Sequence, residues 1–265
     1  MKKLLVLSAS ALAIASIFAI SACSISPIKV VRATGPEVTK DYGITDFNAV
    51  QTGGVFQLEI VPSTAYAISV TSNENMFDYI EVNKSGSTLR LNLKSGTSIT
   101  GPLTLKAKIT MPELDGLDLS GAATADASGF KSTKDFRLAL SGAARVDMGL
   151  ETGKFVADIS GAGRAAGSLK AADTRLNLSG AAVVEIQGSG ANAVIDGSGA
   201  SNASLSDFAV KDASVTLSGG SRAAVNASGK LDVGLSGGST LQYSGNPTLG
   251  KVNVSGGSAL RKSGD

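Results

Sequence analysis

Four oxygen-bearing side chains, Asp118, Asp158, Asn177 and Asp196, occupy the same position of a phrase that recurs along this sequence. The last three are 19 residues apart, so a regular repeat would stand carboxylate, amide and carboxylate in one surface row. Oxygen ligands of this kind can hold a hard cation such as Ca²⁺, which takes six to eight of them, or accept hydrogen bonds from sugar hydroxyls. Two carboxylates and one amide, with no loop to complete the shell, make a poor calcium site. The expectation is a solvated row without bound metal, in which Asn177 relieves the repulsion of its neighbours. A second acidic pair, Asp126 and Asp147, shares another column 21 residues apart. Carboxylates at about 5–9.5 Å can serve glycoside hydrolysis. Here Arg145 and Arg164 stand in the column two residues earlier and are expected to neutralise the acids diagonally.

Composition removes most other chemistry. The 265 residues include no histidine, no tryptophan and a single cysteine. No Ser-His-Asp or Cys-His nucleophile can be assembled, no histidine can ligate a metal, and no cysteine cluster or internal disulfide can form. Catalytic, cofactor-binding and metal-binding residues are therefore assigned to none, and an enzyme is not expected. An aromatic sugar platform is missing too, since Tyr243 is the only tyrosine of the repeat.

The first residues read as an export signal. Lys2 and Lys3 precede an apolar or small-residue stretch from Leu4 to Ile20, and Ile20-Ser21-Ala22-Cys23 closes it. This end resembles a bacterial lipobox, which makes residues 1–22 a lipoprotein signal peptide and Cys23 the lipidated first residue of the mature chain. Residues 23–36 are expected to be a tether to the membrane, and Ser24, rather than an aspartate, suits outer-membrane sorting if the host is Gram-negative. Without the two lysines of the signal, 22 basic residues balance 22 acidic ones. A neutral chain with no basic stripe has no electrostatic basis for binding nucleic acid.

The elements that would position the acidic rows follow from the repeat. The phrase returns eight times as LDLSGA, LALSGA, ADISGA, LNLSGA, IDGSGA, VTLSGG, VGLSGG and VNVSGG. Its serines, Ser120, Ser141, Ser160, Ser179, Ser198, Ser218, Ser236 and Ser255, are 18 to 21 residues apart. Apolar residues fall three and one before each serine with a mostly polar residue between, the period-two pattern of a strand. Five after each serine the side chain is again apolar, and six after it polar or small, which marks a second strand. The glycine after each serine is invariant among the eight and is followed only by Ala or Gly. A tight turn at every level explains both columns. A ragged third strand is expected around Phe136, Phe155, Phe208 and Leu249. Stacked in register, the copies predict an all-β, right-handed parallel β-helix over 113–265, with rungs about 4.8 Å apart.

Residues 37–112 alternate without a fixed period and hold half of the twelve aromatics. They are expected to form irregular, wider rungs, continuous with the repeat, that cap one end of the stack. The last edge carries the charge of Arg261-Lys262-Ser263-Gly264-Asp265. The entry segment DFNAVQTGGVFQLEIVPSTAYAISVTSNENMFDYIEVNKSGSTLRLNLKS, then LTLKAKITMPELDGLDLSGAATAD and the repeated LSGA, resembles the auto-transporter adhesin head GIN domain family, from about Asp46 onward. The resemblance implies an exported, often lipid-anchored β-helical envelope protein and carries no catalytic residues across. No segment resembles a translocating outer-membrane barrel. The functional expectation is a non-enzymatic, adhesin-like or structural envelope lipoprotein. Its partners would be the membrane, reached through Cys23, and a glycan or an envelope protein.

Overall fold

The computed structural model describes residues 29–263. The signal 1–22, Cys23, the first part of the expected tether and Asp265 lie outside the described residues. Strands account for 66% of the described residues and helix for 3%, so the described body is nearly all-β. The first segment contains β1 (Lys29–Arg32), β2 (Glu37–Tyr42), β3 (Ala49–Thr52), β4 (Gln57–Pro62) and β5 (Ala67–Asn73). A 3₁₀ turn over Glu74–Tyr79 leads to β6 (Ile80–Ser85), β7 (Thr88–Leu93), β8 (Thr97–Thr100) and β9 (Leu105–Met111). The repeat opens with β10 (Gly116–Leu119), β11 (Thr124–Lys131) and β12 (Phe136–Leu140). Three 15-residue strands follow: β13 (Arg145–Ile159), β14 (Arg164–Leu178) and β15 (Val183–Gly197). The repeat closes with β16 (Asn202–Val210), β17 (Asp212–Leu217), β18 (Arg222–Ala227), β19 (Lys230–Leu235), β20 (Thr240–Ser244), β21 (Thr248–Val254) and β22 (Ala259–Lys262).

Parallel pairing builds two ladders. One runs β7–β3–β10–β12, passes through the second halves of β13, β14 and β15, and continues β17–β19–β21. The other runs β9–β4–β11, passes through the first halves of β13, β14 and β15, and continues β16–β18–β20–β22. The result is a parallel β-solenoid with its apolar columns facing inward. Leu117, Leu138, Ala157, Leu176, Ile195, Val215 and Val233 are buried in one ladder, and Ala125, Val146, Ala165, Val184, Ala203, Ala223 and Leu241 in the other. Each buried Leu, Ile or Val contributes roughly 1.5–3 kcal/mol by leaving water. At the Ser-Gly turn the backbone ladder is unbroken: the Ala162 amide donates to the Gly142 carbonyl at 2.7 Å, and the Ser160 amide to the Leu140 carbonyl at 2.9 Å.

The expected third strand is not separate. Phe136 and Phe155 pair at the head of the first strand, their rings stacked with centroids 5.9 Å apart, and Leu249 pairs with Leu231 in the same position. Phe208 instead sits at the end of the second strand, opposite Gly188. In β13, β14 and β15 the second strand of one rung bends directly into the first strand of the next. Gly167 marks that bend with φ +126°, and a β-carbon there would meet the Met148 carbonyl oxygen at 2.0 Å.

Within 37–112, two strand pairs are rungs in register with the repeat. They stack against chain order: β3 and β4 lie between β10/β11 and the later β7/β9. The remaining strands leave the winding and seal the end in antiparallel fashion, β5 against β9, β2 against β5, and β6 against β7. β1 pairs with β8, so part of the stretch expected to be tether belongs to the folded body.

Candidate functional site

The acidic row lies on the outer face of the first ladder. Gln51, Asp118, Ala139, Asp158, Asn177, Asp196 and Thr216 are register partners on successive rungs. The structure therefore brings Asp158, Asn177 and Asp196 together as the spacing required, while Ala139 separates Asp118 from them. Every acid in the row has a neighbour. Gln51 Nε2 donates to Asp118 Oδ2 at 2.8 Å, Asn177 Nδ2 to Asp158 Oδ1 at 2.7 Å, Arg137 to Asp158 Oδ2 at 2.6 Å, and Arg175 to Asp196 Oδ2 at 2.7 Å. Exposed ion pairs are worth about 0–1 kcal/mol, but these contacts engage both oxygens of Asp158 and one each of Asp118 and Asp196, which leaves few for a cation. Among the described residues no group of three or more acidic, His or Cys side chains is placed to hold a metal ion. Sequence reasoning missed Gln51, Arg137 and Arg175. The readable signal was the offset of 21 from Arg137 to Asp158 and from Arg175 to Asp196, one rung plus two residues.

The same offset corrects the second acidic pair. Asp126 and Asp147 are register partners as expected, but among the described residues no ion pair joins either to Arg145 or Arg164. An arginine reaches the acid two residues ahead on the following rung, so Arg164 meets Glu185 at 3.5 Å. Asp126 accepts from its own neighbour, Ser128 Oγ, at 3.0 Å.

At the bend of the central rungs a groove of about 680 Å³ runs over β11, β13, β14 and β15. Gly149, Gly167 and Gly188 keep its floor low. Lys131, Glu151 and Lys170 form one side, with Lys131 Nζ 2.8 Å and Lys170 Nζ 3.7 Å from the Glu151 carboxylate. The hydrogen bond from Lys131 is the main cause that holds the Glu151 carboxyl below the usual glutamate range, and Glu151 in turn raises the Lys131 ammonium. Of the remaining polar lining, Ser128 is engaged with Asp126, while among the described residues no hydrogen bond involves the side chains of Asp147, Ser168, Gln187 or Ser189. A second depression of about 620 Å³ continues the groove past Glu151, Lys170 and Ser189.

A polar feature also lies inside. Ser201, Ser221 and Ser239 are buried three residues after the turn serine, where earlier rungs have Ala123, Ala144 and Ala182. Ser221 Oγ donates to the Ser218 carbonyl at 2.7 Å, and Ser239 Oγ lies 3.2 Å from Ser258 Oγ. Each hydroxyl finds a partner within its own or the next rung, so this ladder is part of the core.

A family model described as "Putative auto-transporter adhesin, head GIN domain" matches residues 46–247. The chain belongs to that family. The head GIN fold is shared with solved structures of low identity. A protein from Parabacteroides distasonis, described as a putative lipid binding protein, superposes with a TM-score of 0.83 at 21% identity, over 88% of this chain and 99% of that one. A putative adhesin from Parabacteroides merdae gives 0.82 at 20% identity, over 88% and 99%. Another from P. distasonis gives 0.76 at 17% identity, over 88% and 100%. At these identities the likeness establishes the β-solenoid and nothing of the ligand. No curated protein matches the head GIN chain.

Proposed function

We propose that this chain is the non-enzymatic head of a cell-envelope lipoprotein, held at the outer membrane by lipid on Cys23 and presenting its solenoid flank in an adhesin-like or structural role. The observation that carries this reading is the way the exposed charges are used. In the acidic row Asp118, Asp158 and Asp196 each accept a hydrogen bond from a neighbouring side chain, and among the described residues no cluster is placed to hold a metal ion. A rigid stack with self-satisfied rows suits display. Membership of an adhesin-named family and likeness to proteins described as adhesins and as lipid-binding support the same reading.

The test separates address from binding. Cys23→Ala should release the protein from membranes on fractionation and remove the acyl mass; retention with unchanged mass contradicts the anchor. The released chain, used as bait against envelope extract, should retain a glycan or envelope protein. A second reading, a glycan-binding module, is favoured by the uncommitted Asp147, Ser168, Gln187 and Ser189 of the central groove. Glycan retention that disappears in Gln187→Ala/Ser168→Ala supports it, and retention unchanged in that variant moves binding to another face.

A further inference from the structure

The two ends of the solenoid are built differently. At the first end, β2, β5 and β6 close both ladders with antiparallel strands. At the other, β21 and β22 each have a strand on one side only, β19 and β20 respectively. Their outward backbone donors and acceptors have no ladder partner among the described residues. The inward columns run on into this last described rung, where no described residue covers them. Leu249, Val252 and Val254 are 43%, 41% and 45% exposed, whereas their counterparts one rung below, Leu231, Val233 and Leu235, are 0%, 3% and 3% exposed. Every residue of β21 is exposed. The rung also carries a charge of one sign: Lys251, Arg261 and Lys262, with no acidic residue between Thr248 and Ser263.

We propose that this rung is a docking edge for a β-strand of a partner protein in which aliphatic and acidic residues alternate. An added strand receives main-chain hydrogen bonds from the open edge, and its alternate side chains decide specificity. Here aliphatic side chains on the inner face of the newcomer would cover Leu249, Val252 and Val254 as a further rung. Carboxylates on its outer face would lie beside Lys251, and beside Arg261 if it joins β22. The same cations disfavour the commonest wrong occupant, a second copy of this edge, because its three positive charges would face three more. The edge is thus protected against itself and complementary to the opposite charge.

The experiment uses the full chain and two labelled seven-residue peptides, the length of β21, one alternating Val and Glu and the other Val and Lys. Fluorescence anisotropy should show saturable binding of the Glu peptide and at least about tenfold weaker binding of the Lys peptide. Hydrogen exchange with the Glu peptide bound should slow the amides of β21 or of β22, whichever the peptide joins, while β2, β5 and β6 are unchanged. Lys251→Glu/Arg261→Glu should reverse the peptide preference. Absence of saturable binding by the Glu peptide, equal binding of the two peptides, or protection anywhere other than β21 and β22 would overturn the proposal. Concentration-dependent dimers through this edge in sedimentation would overturn it as well, by showing that a second copy is the occupant.

Discussion

Gly161 stands directly over Gly142: a β-carbon on Gly161 would lie 2.7 Å from the Gly142 carbonyl oxygen, and the backbone there has φ +68°. Conformation and space thus exclude a side chain independently. Gly161→Ala should cost at least the roughly 1–3 kcal/mol of a left-handed non-glycine residue, with the clash added. Gly43, which has nothing within 4 Å of such a carbon and no positive φ, provides the control, and Gly43→Ala should stay within about 0.5 kcal/mol. Thermal melts of the two variants check the difference, and equal shifts would contradict the turn geometry.

Leu140 is buried between Leu119 and Ile159, and Thr216 is on the outer face. Leu140→Asp places an unpaired carboxylate in the core and should destabilise by about 4 kcal/mol or more. Thr216→Asp should cost about 0.5 kcal/mol or less. Denaturant midpoints of the two variants measure this; similar losses would mean that the inward and outward columns are exchanged.

Both oxygens of Asp158 and one each of Asp118 and Asp196 already accept hydrogen bonds, from Arg137, Asn177, Gln51 and Arg175. Calorimetric titration with Ca²⁺ should therefore show no saturable heat in the micromolar range. Saturable binding that disappears in Asp158→Ala/Asp196→Ala would show that the row opens to admit a cation.

The Lys131–Glu151 pair makes a pH prediction. Its hydrogen bond holds the Glu151 carboxyl below the usual range. Its stabilisation is complete above the ordinary glutamate value, about 4.3, and fades as pH falls through the lower folded value. The raised Lys131 ammonium works in the opposite sense, losing its contribution as pH rises through its folded value. Titration of the Glu151 carboxyl followed by NMR should show a midpoint that rises in Lys131→Met. An unmoved midpoint would assign the shift to Lys170.

What the sequence by itself determined about this protein is the repeat: the stacked rungs from β10 to β22, the inward columns such as Leu138 and Val146, and the glycine turn beneath which no side chain fits. Those are legible because a strand alternates every second residue and the rung length is nearly constant, so local pattern and spatial neighbour coincide. The tertiary structure decided whatever depends on which rung lies over which. The phrase Val50-Gln51-Thr52-Gly53-Gly54 resembles a repeat turn, yet its neighbour on one side, Asp118, is 67 residues from Gln51. On its other side lies β7, reached only after β5 and β6 have left the winding. Connection lengths vary there, so no period points to the partner. Arg137 meets Asp158 and not an acid of its own rung because long side chains cross diagonally to the next level. That choice is made by sheet register, as are the groove beside Asp147 and the open rung at Val252.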